Sequence, residues 1–273
     1  MPEAVKSRSF VISVRDLGES DKIVTLFTRS HGKKRAVAKG AKRSIKRFLN
    51  ALEPFCLLDV SLIPPRRRDG LNLLEGCTIV DPFEGLRGDY NRFLSACLAC
   101  ELIDAWVRQE DPHPGLFELL GWLMNGLSSG GSPGRLTLIF ATRLLSQTGY
   151  GSDFRSCPRC GSPLSGRALR LSPDLGGLLC RGCDSGTGSE KGMYFSAGAA
   201  RSLAFFQDSP LSRVDRLKVG PEAMDECWEI LRRIHEHHLQ KPPQSFKLIN
   251  RIKKGFFHGE AAAEADAVSR AKA

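Results

Sequence analysis

The chain has 273 residues, of which 41% are hydrophobic, so it is long enough to bury a core in one to three domains. No apolar run approaches the roughly 18 residues of a membrane helix, and no signal-peptide core follows the N-terminus. These features exclude a membrane or secreted protein from our expectations and favour the cytoplasm, where its nine cysteines would stay reduced.

The net charge of +10 is concentrated near the N-terminus. Residues 1–80 contain 16 Lys or Arg against 8 Asp or Glu, and no acidic residue occurs between Lys22 and Leu52. Such a stripe is typical of a surface that binds a polyanion, most often nucleic acid. The alternative is a solvated face without a partner, which is less favourable because so long an acid-free stretch repels itself. The candidate DNA-binding residues are Arg29, Lys33, Lys34, Arg35, Lys39, Lys42, Arg43, Lys46 and Arg47.

The first 80 residues have the pattern of a small β-barrel. Apolar, β-branched runs separated by turn residues predict strands at 10–14, 22–28, 35–39, 55–63 and 71–80. Five short strands with a basic connection between the third and fourth favour an oligonucleotide-binding (OB) barrel. The number of strands alone does not separate it from an SH3-like barrel.

From residue 81 the apolar spacing becomes three and four, which predicts helices at 90–108, 116–127, 135–147, 197–206 and 221–239. The fold class is therefore α+β and multidomain. We expect a basic OB-type barrel (1–80), a helical domain in two parts (81–152 and 196–258), a four-cysteine insert (153–195) and a flexible tail (259–273).

Two CxxC pairs carry the strongest chemical signal. Cys157 and Cys160 precede Cys180 and Cys183, and 19 residues separate the pairs. This spacing is typical of a zinc ribbon, in which two tight turns present four thiolates to one ion. With four ligands in place, no position stays open for water. We therefore predict one structural zinc per chain rather than two redox motifs or incidental cysteines.

Other motifs give weaker signals. Cys97 and Cys100 form a third CxxC in an apolar helix and are interpreted as core residues. The histidines at 235–238 do not complete HExxH, because position 239 is Leu. The glycine-rich segment 186–191 lacks the phosphate-loop pattern, and no carboxylate cluster or GxSxG motif occurs. We therefore expect a protein that is not an enzyme.

These parts together resemble the bacterial RecO recombination mediator family. Residues 37–43 (Val-Ala-Lys-Gly-Ala-Lys-Arg) resemble its basic segment after the third strand, and residues 85–87 (Gly-Leu-Arg) the start of its helical domain. Residues 144–157 resemble the approach to its zinc site, although Ser152 stands where proline is expected. Residues 236–245 resemble the end of its C-terminal helix, so the resemblance spans about residues 5–255.

The resemblance implies binding of single- and double-stranded DNA, annealing of complementary strands, and help for RecA in displacing single-strand-binding protein. RecR and single-strand-binding protein are the implied partners, RecA is an indirect one, and the implied location is cytoplasmic and nucleoid-associated. Two rival hypotheses stay open: an RNA-binding or ribosome-associated module, and a metal-dependent nuclease or redox enzyme. The oligomeric state, the surface that meets RecR, and direct contact with single-strand-binding protein are left open.

Two further site predictions are more specific. Phe48, next to Lys46 and Arg47, is the candidate for base stacking, whereas Phe10 and Phe27 are expected in the core. Helices 90–108 and 135–147 are expected to receive the acidic tail of single-strand-binding protein in an apolar groove; the alternative is helix–helix packing. The residues of this groove are Leu98, Leu102, Leu136 and Ile139, with Arg92, Arg108, Arg135 and Arg143 as cations.

Overall fold

The computed structural model describes residues 3–44, 46–48, 50–65, 67, 70–151, 153–166, 168–184, 193–214 and 217–257. The contacts divide the chain into two compact units, Met1–Gly130 and Gly131–Ala273. The predicted tail (259–273), the glycine-rich segment 186–191 and Ser152 lie outside the described residues. The domain boundaries at residues 80, 152, 195 and 258 stay predictions.

The first unit begins with a closed five-stranded barrel, which confirms the predicted OB-type fold. The strands are β1 (Val5–Leu17), β2 (Asp21–Thr28), β3 (Gly32–Ala38), β4 (Leu57–Ile63) and β5 (Asn72–Asp81). They follow the order β1-β2-β3-β5-β4 around the barrel, and β4 pairs back to β1. All pairs are antiparallel except β3 with β5.

Period-two alternation explains why these segments close into a barrel. Leu58, Val60 and Leu62 on β4 point inward and are at most 3% exposed, while the residues between them face outward. On β3, Ala36 and Ala38 occupy the interior. Burying one large aliphatic side chain in this way contributes about 1.5–3 kcal/mol, so the alternation drives closure.

Two helices of the same unit, α1 (Tyr90–Trp106) and α2 (Pro114–Ser128), complete it. The ring centroid of Phe117 on α2 lies 4.9 Å from that of Phe10 on β1 and 5.9 Å from that of Phe27 on β2. Phe10 and Phe27 are buried, as predicted for core residues. Because Phe10 alternates with the interior Val11, this aromatic cluster covers the outside of β1 and β2.

The β2–β3 turn is fixed against the connection between α1 and α2. Gly32 has φ +66, and a Cβ at this position would lie 2.3 Å from the carbonyl oxygen of Asp111. The backbone N–H of Glu110 donates to the carbonyl of Lys33 at 3.0 Å. Glycine is therefore required at position 32 for two reasons: the positive φ and the close approach of the Asp111 backbone.

The second unit combines helices with a small sheet. The elements are α3 (Pro133–Gln147), β6 (Leu169–Ser172), β7 (Gly177–Leu179), β8 (Tyr194–Phe195), α4 (Ala197–Asp208), α5 (Pro221–His238) and α6 (Gln244–Arg251). The three strands are antiparallel and lie in the order β7-β6-β8. Trp228 on α5 is buried against Phe246 and Phe257 and donates its indole N–H to Asn250 Oδ1 at 2.7 Å. Of the helices described, none has the length and apolar character to span a bilayer.

Candidate metal site and nucleic-acid interface

The four predicted cysteine ligands meet at one point of the second unit. The Sγ atoms of Cys157, Cys160, Cys180 and Cys183 all lie within 4.8 Å of one another. The Sγ atoms of Cys160 and Cys180 are 3.6 Å apart. A tetrahedron with metal–sulfur distances of about 2.3 Å has edges of about 3.8 Å, so this spacing fits a shared ion. Within the described parts of the chain, this is the one group of three or more such ligands close enough to share a metal.

Each CxxC pair lies on a tight turn. In the first, the N–H of Gly161 donates to the carbonyl of Cys157 at 2.8 Å, and Gly161 has φ +73. In the second, the N–H of Cys183 donates to the carbonyl of Cys180 at 3.0 Å. These turns bring sulfur atoms three residues apart to the same side. The sequence between the pairs folds back through β6 and β7, which closes the cluster.

The electrostatics of the cluster favour a thiolate at one of the cysteines, Cys160. Hydrogen bonds from the Ser162 side chain and backbone lower the pKa of Cys160 to about 6. The pKa of Cys183 is raised to about 12, chiefly because its thiol donates to Cys160. A thiolate is therefore available at neutral pH, and a bound cation would displace the remaining protons. The residues present fit a metal ion of the kind that prefers sulfur ligands.

Polar contacts hold the second turn in place. The guanidinium of Arg159 donates to the carbonyl of Cys183 at 3.0 Å. Asp184, the residue after the last cysteine, pairs with Arg170 at 2.7 Å and accepts from the hydroxyl of Tyr194 at 3.0 Å. These contacts connect the cysteine turns to β6 and β8. They orient the ligands around the cluster from outside it.

The basic stripe divides into residues with and without internal ion pairs. Four of the nine candidates are exposed, and within the described ranges they have no carboxylate within 4 Å; we call them the open cations. Lys39 lies near Asp21, whose pKa is lowered chiefly by the N–H of Gly40 and slightly by Lys39. The open cations are Arg35, Lys39, Arg43 and Lys46.

Three other candidates, the paired cations, are bound by carboxylates of the first unit. Arg29 pairs with Glu118 at 2.9 Å, Lys34 with Glu110 at 2.8 Å, and Lys42 with Asp16 at 2.9 Å. Exposed pairs of this kind contribute about 0–1 kcal/mol each, so they do little for stability. They do, however, neutralise much of the positive field that the sequence alone assigns to these positions.

Lys33 occupies a different environment from the rest of the stripe. Its side chain is only 8% exposed, and its ammonium contacts Asp104 on α1, both the carboxylate at 2.9 Å and the backbone carbonyl. A buried ammonium that donates hydrogen bonds to two acceptors is typical of a lysine that stabilises the packing of two elements. Lys33 therefore connects β3 to α1 and does not present its charge to solvent.

Phe48 is 4% exposed and belongs to the barrel core, so its ring is not placed to stack on a base. Its neighbour Arg47 lies over the ring, with the guanidinium carbon 5.0 Å from the centroid. Arg47 also donates to the carbonyl of Lys39 at 2.9 Å. The aromatic ring thus positions a cation at the surface, which is a different role from the one predicted.

The residues predicted to receive a partner's tail are distributed over both units. Leu98 and Leu102 lie on α1, whereas Leu136 and Ile139 lie on α3, and all four are buried. Arg143 donates to the backbone carbonyls of Phe206 at 2.8 Å and of Ser209, at the end of α4. The groove stays a prediction, and Arg143 is occupied within its own unit.

The weaker motifs fit their structural interpretation. Cys100 is buried, and burial raises the pKa of Cys97 to about 11, so these thiols stay protonated. His235 is buried, and desolvation lowers its pKa to about 3. The Nε2 atom of His237 lies 2.7 Å from a carboxylate oxygen of Asp174. These side chains do not form a second ligand cluster in the described ranges.

The structure also identifies two basic residues that the sequence interpretation missed. Lys6 and Arg8 lie outside the acid-free stretch, yet both are exposed on β1 and line one groove with Lys46 and Arg47. The sequence did contain a signal, because Lys6 and Arg8 alternate with Ser7 directly before an apolar run. That spacing places both side chains on the outer face of a strand.

Comparisons with known proteins find relatives over most of the chain. Residues 1–83 match the family described as Recombination protein O N terminal, and residues 87–246 match Recombination protein O C terminal. The DNA repair protein RecO of Anaeromyxobacter sp. (strain K) is 34% identical over 252 residues, which cover 92% of this chain and 97% of the relative. The DNA repair protein RecO of Geobacter metallireducens is 33% identical, with coverage of 92% and 98%. That of Syntrophus aciditrophicus is 31% identical, with coverage of 91% and 96%.

Proposed function

Because the chain belongs to the RecO recombination protein family, which acts in DNA repair, we propose that it is a DNA-binding mediator without catalytic activity. In this proposal it binds single- and double-stranded DNA and anneals complementary strands. The observation that carries the proposal is the set of open cations, which present charge to solvent without internal partners.

Annealing requires two phosphate backbones to be neutralised while the bases remain free to pair. Contacts from lysine and arginine to phosphate supply affinity without reading sequence. The open cations and Arg47 are proposed to contact phosphates in this way and to leave the bases free. The paired cations are proposed to contribute less to DNA affinity, because carboxylates already neutralise them. Lys33 and Phe48 are not part of the proposed interface.

We further propose that the cysteine cluster holds one structural zinc. The ligands Cys157, Cys160, Cys180 and Cys183 fill a tetrahedral shell, so the ion would supply folding energy and would not activate water. Bound zinc would hold the two turns together. Arg159, Asp184 and Tyr194 would keep their contacts around it.

The proposed partners follow the family. We expect the protein to assist the loading of RecA onto DNA that single-strand-binding protein covers, together with RecR. The acidic tail of single-strand-binding protein is proposed to contact the arginines predicted from the sequence, which are Arg92 and Arg108 on the first unit and Arg135 on the second. Titration of a labelled tail peptide at two salt concentrations tests this, because a charge contribution weakens with salt and apolar packing does not. A mediator of this kind would act at the nucleoid.

Binding to a labelled single-stranded DNA and to RNA of the same sequence, followed by an annealing assay with complementary DNA strands, tests the main proposal. We expect binding to DNA and faster annealing without added nucleotide. Preference for RNA, with no effect on DNA annealing, would instead support a ribosome-associated or RNA-binding module. Absence of binding to either nucleic acid would refute the proposal.

A further inference from the structure

One side of the barrel is covered by its own unit and another is open. The aromatic cluster around Phe117 covers the outside of β1 and β2 where Phe10 and Phe27 lie. The N-terminal part of β1 continues beyond this cluster and pairs with β4, which in turn pairs with β5. A groove of about 700 Å³ lies over these three strands, wholly within the first unit. We call it the barrel groove.

The strand register fixes which side chains face the barrel groove. Arg8 lies opposite Asp59 of β4, which lies opposite Thr78 of β5. Because Val60 of β4 points into the barrel, Asp59 and the residue after Val60 point outward. That residue, Ser61, begins a second row.

The second row crosses the same strands two residues further along. Lys6 lies opposite Ser61, which lies opposite Gly76. The two rows are about 6.6 Å apart, and the outer strands are about 10 Å apart. Gly76 leaves the floor open, since a Cβ built there would meet nothing within 4 Å.

The connection between β3 and β4 forms the other wall of the barrel groove through Lys46 and Arg47. The guanidinium of Arg47 is fixed over the ring of Phe48, and the thiol of Cys77 donates to the carbonyl of Arg47 at 3.6 Å. Cations therefore line both walls, while the floor is small and uncharged at Gly76. This arrangement suits a negatively charged chain that lies along the groove.

Two carboxylates limit the positive charge. Asp59 pairs with Arg8 at 3.2 Å, and Glu75 accepts a hydrogen bond at 2.9 Å from Ser61, which lines the groove. The four cations exceed these two charges, so the barrel groove keeps a net positive charge. Asp59 is therefore expected to weaken anion binding, because it neutralises Arg8.

We propose that the backbone of single-stranded DNA lies in the barrel groove, between Lys6 and Arg8 on one wall and Lys46 and Arg47 on the other. The inference rests on the proposed DNA-binding function and names the part of the barrel that performs it. The groove accommodates one backbone. The two outer strands beneath the groove are about 10 Å apart, which suits one backbone, whereas a duplex presents two backbones separated by grooves of about 6 and 12 Å.

A charge series at Gly76 tests the proposal without removing a native contact. Gly76 does not have a positive φ and has open space around its Cβ position, so Gly76→Glu, Gly76→Gln and Gly76→Lys should all fold. Relative to Gly76→Gln, we expect the Glu variant to bind single-stranded DNA about fivefold more weakly and the Lys variant about fivefold more tightly at low salt.

The same three substitutions at Gly88 are the matched control, because Gly88 is exposed, has open space and is not among the residues that line the barrel groove. The Gly88 series should change affinity less than twofold, since a solvent-exposed charge outside the groove is screened by salt. As an independent arm, Asp59→Asn should tighten binding, because it releases Arg8 for phosphate. Photo-crosslinking of a 4-thiothymidine oligonucleotide should label peptides that contain residues 5–8 or 76–78.

Equal affinities across the Gly76 series, or equal responses of the Gly76 and Gly88 series, would overturn the inference. A crosslink that excludes both peptides would do the same. If the unmodified protein still binds and anneals DNA in these cases, the proposed function stands and the strand lies elsewhere. If the unmodified protein binds no DNA at all, both proposals fail.

Discussion

The division of the basic stripe into open and paired cations makes a quantitative prediction. Two triple variants remove the same net charge of three. The open triple changes Arg35, Lys39 and Arg43 to alanine, and the paired triple changes Arg29, Lys34 and Lys42 to alanine. If total charge alone decides affinity, the two variants behave alike. If internal pairing matters, they differ.

The magnitude follows from counterion release. Each lost phosphate contact on a single strand reduces the slope of log K against log salt by about 0.7, so three contacts reduce it by about 2. At a salt concentration of about 0.1 M this corresponds to a loss of about a hundredfold in affinity for the open triple. In the paired triple each cation already has a carboxylate within 3 Å, so it releases little additional counterion when it meets phosphate. We expect less than a tenfold loss and a slope change below about 1.

Fluorescence anisotropy of a labelled oligonucleotide between about 50 and 200 mM salt gives both quantities. Thermal unfolding serves as the control, because exposed pairs contribute at most about 1 kcal/mol each and both variants should remain folded. Equal slope changes in the two triples would refute the argument from pairing. An unchanged slope in both would place the DNA surface outside residues 29–47.

Three further predictions concern the metal site, the ion pair between Lys33 and Asp104, and acid stability. The purified protein should contain about one zinc per chain, and Cys157→Ser with Cys160→Ser should lower the zinc content and Tm; metal analysis that finds no zinc in chelator-free preparations would contradict this. Lys33→Met should lower the free energy of unfolding by about 1–3 kcal/mol, because the hydrogen bonds from the ammonium to the carboxylate and the backbone carbonyl of Asp104 are lost, while DNA affinity is unchanged; weaker DNA binding by a stable variant would restore Lys33 to the interface. Because the pKa of His235 is lowered to about 3 in the folded state, its contribution is present above about pH 6.5 and is lost as pH falls toward 3; a urea titration series should show a shallower fall for His235→Asn than for the unmodified protein.

Much of the barrel could be predicted because period-two alternation is a local signal. The predicted strand at 22–28 corresponds to β2 (Asp21–Thr28) within one residue. β1 is longer than predicted and covers Val5–Leu17, since its polar ends pair with neighbouring strands although they carry no apolar run. The ends of β1 are strand because β2 and β4 pair with them, and the hydropathy of β1 itself does not reveal this pairing. Lys6 and Arg8 were missed for this reason.

The cysteine cluster was equally accessible from sequence, because two residues between ligands impose one tight turn. The burial of Phe48 could not be predicted from the sequence, because its neighbours Lys46 and Arg47 suggest an exposed segment. The ring is buried because the connection between β3 and β4 packs it into the barrel core. The role of Arg143 likewise depended on the end of α4, which lies more than 60 residues away in the chain.

The sequence by itself determined the five barrel strands, the helices α1 to α5, the grouping of the four cysteines, the basic end of the chain and the resemblance to its family. Each of these depends on spacing or composition within short segments. Only the tertiary structure decided which cations face solvent. Asp104 removes Lys33 from the surface, and Glu110 and Glu118 on distant segments neutralise Lys34 and Arg29. The residue type fixes the charge of a side chain. Whether that charge can bind a ligand depends on the carboxylates that folding brings within 3 Å, and these partners are too distant in the chain for a local sequence pattern to reveal them.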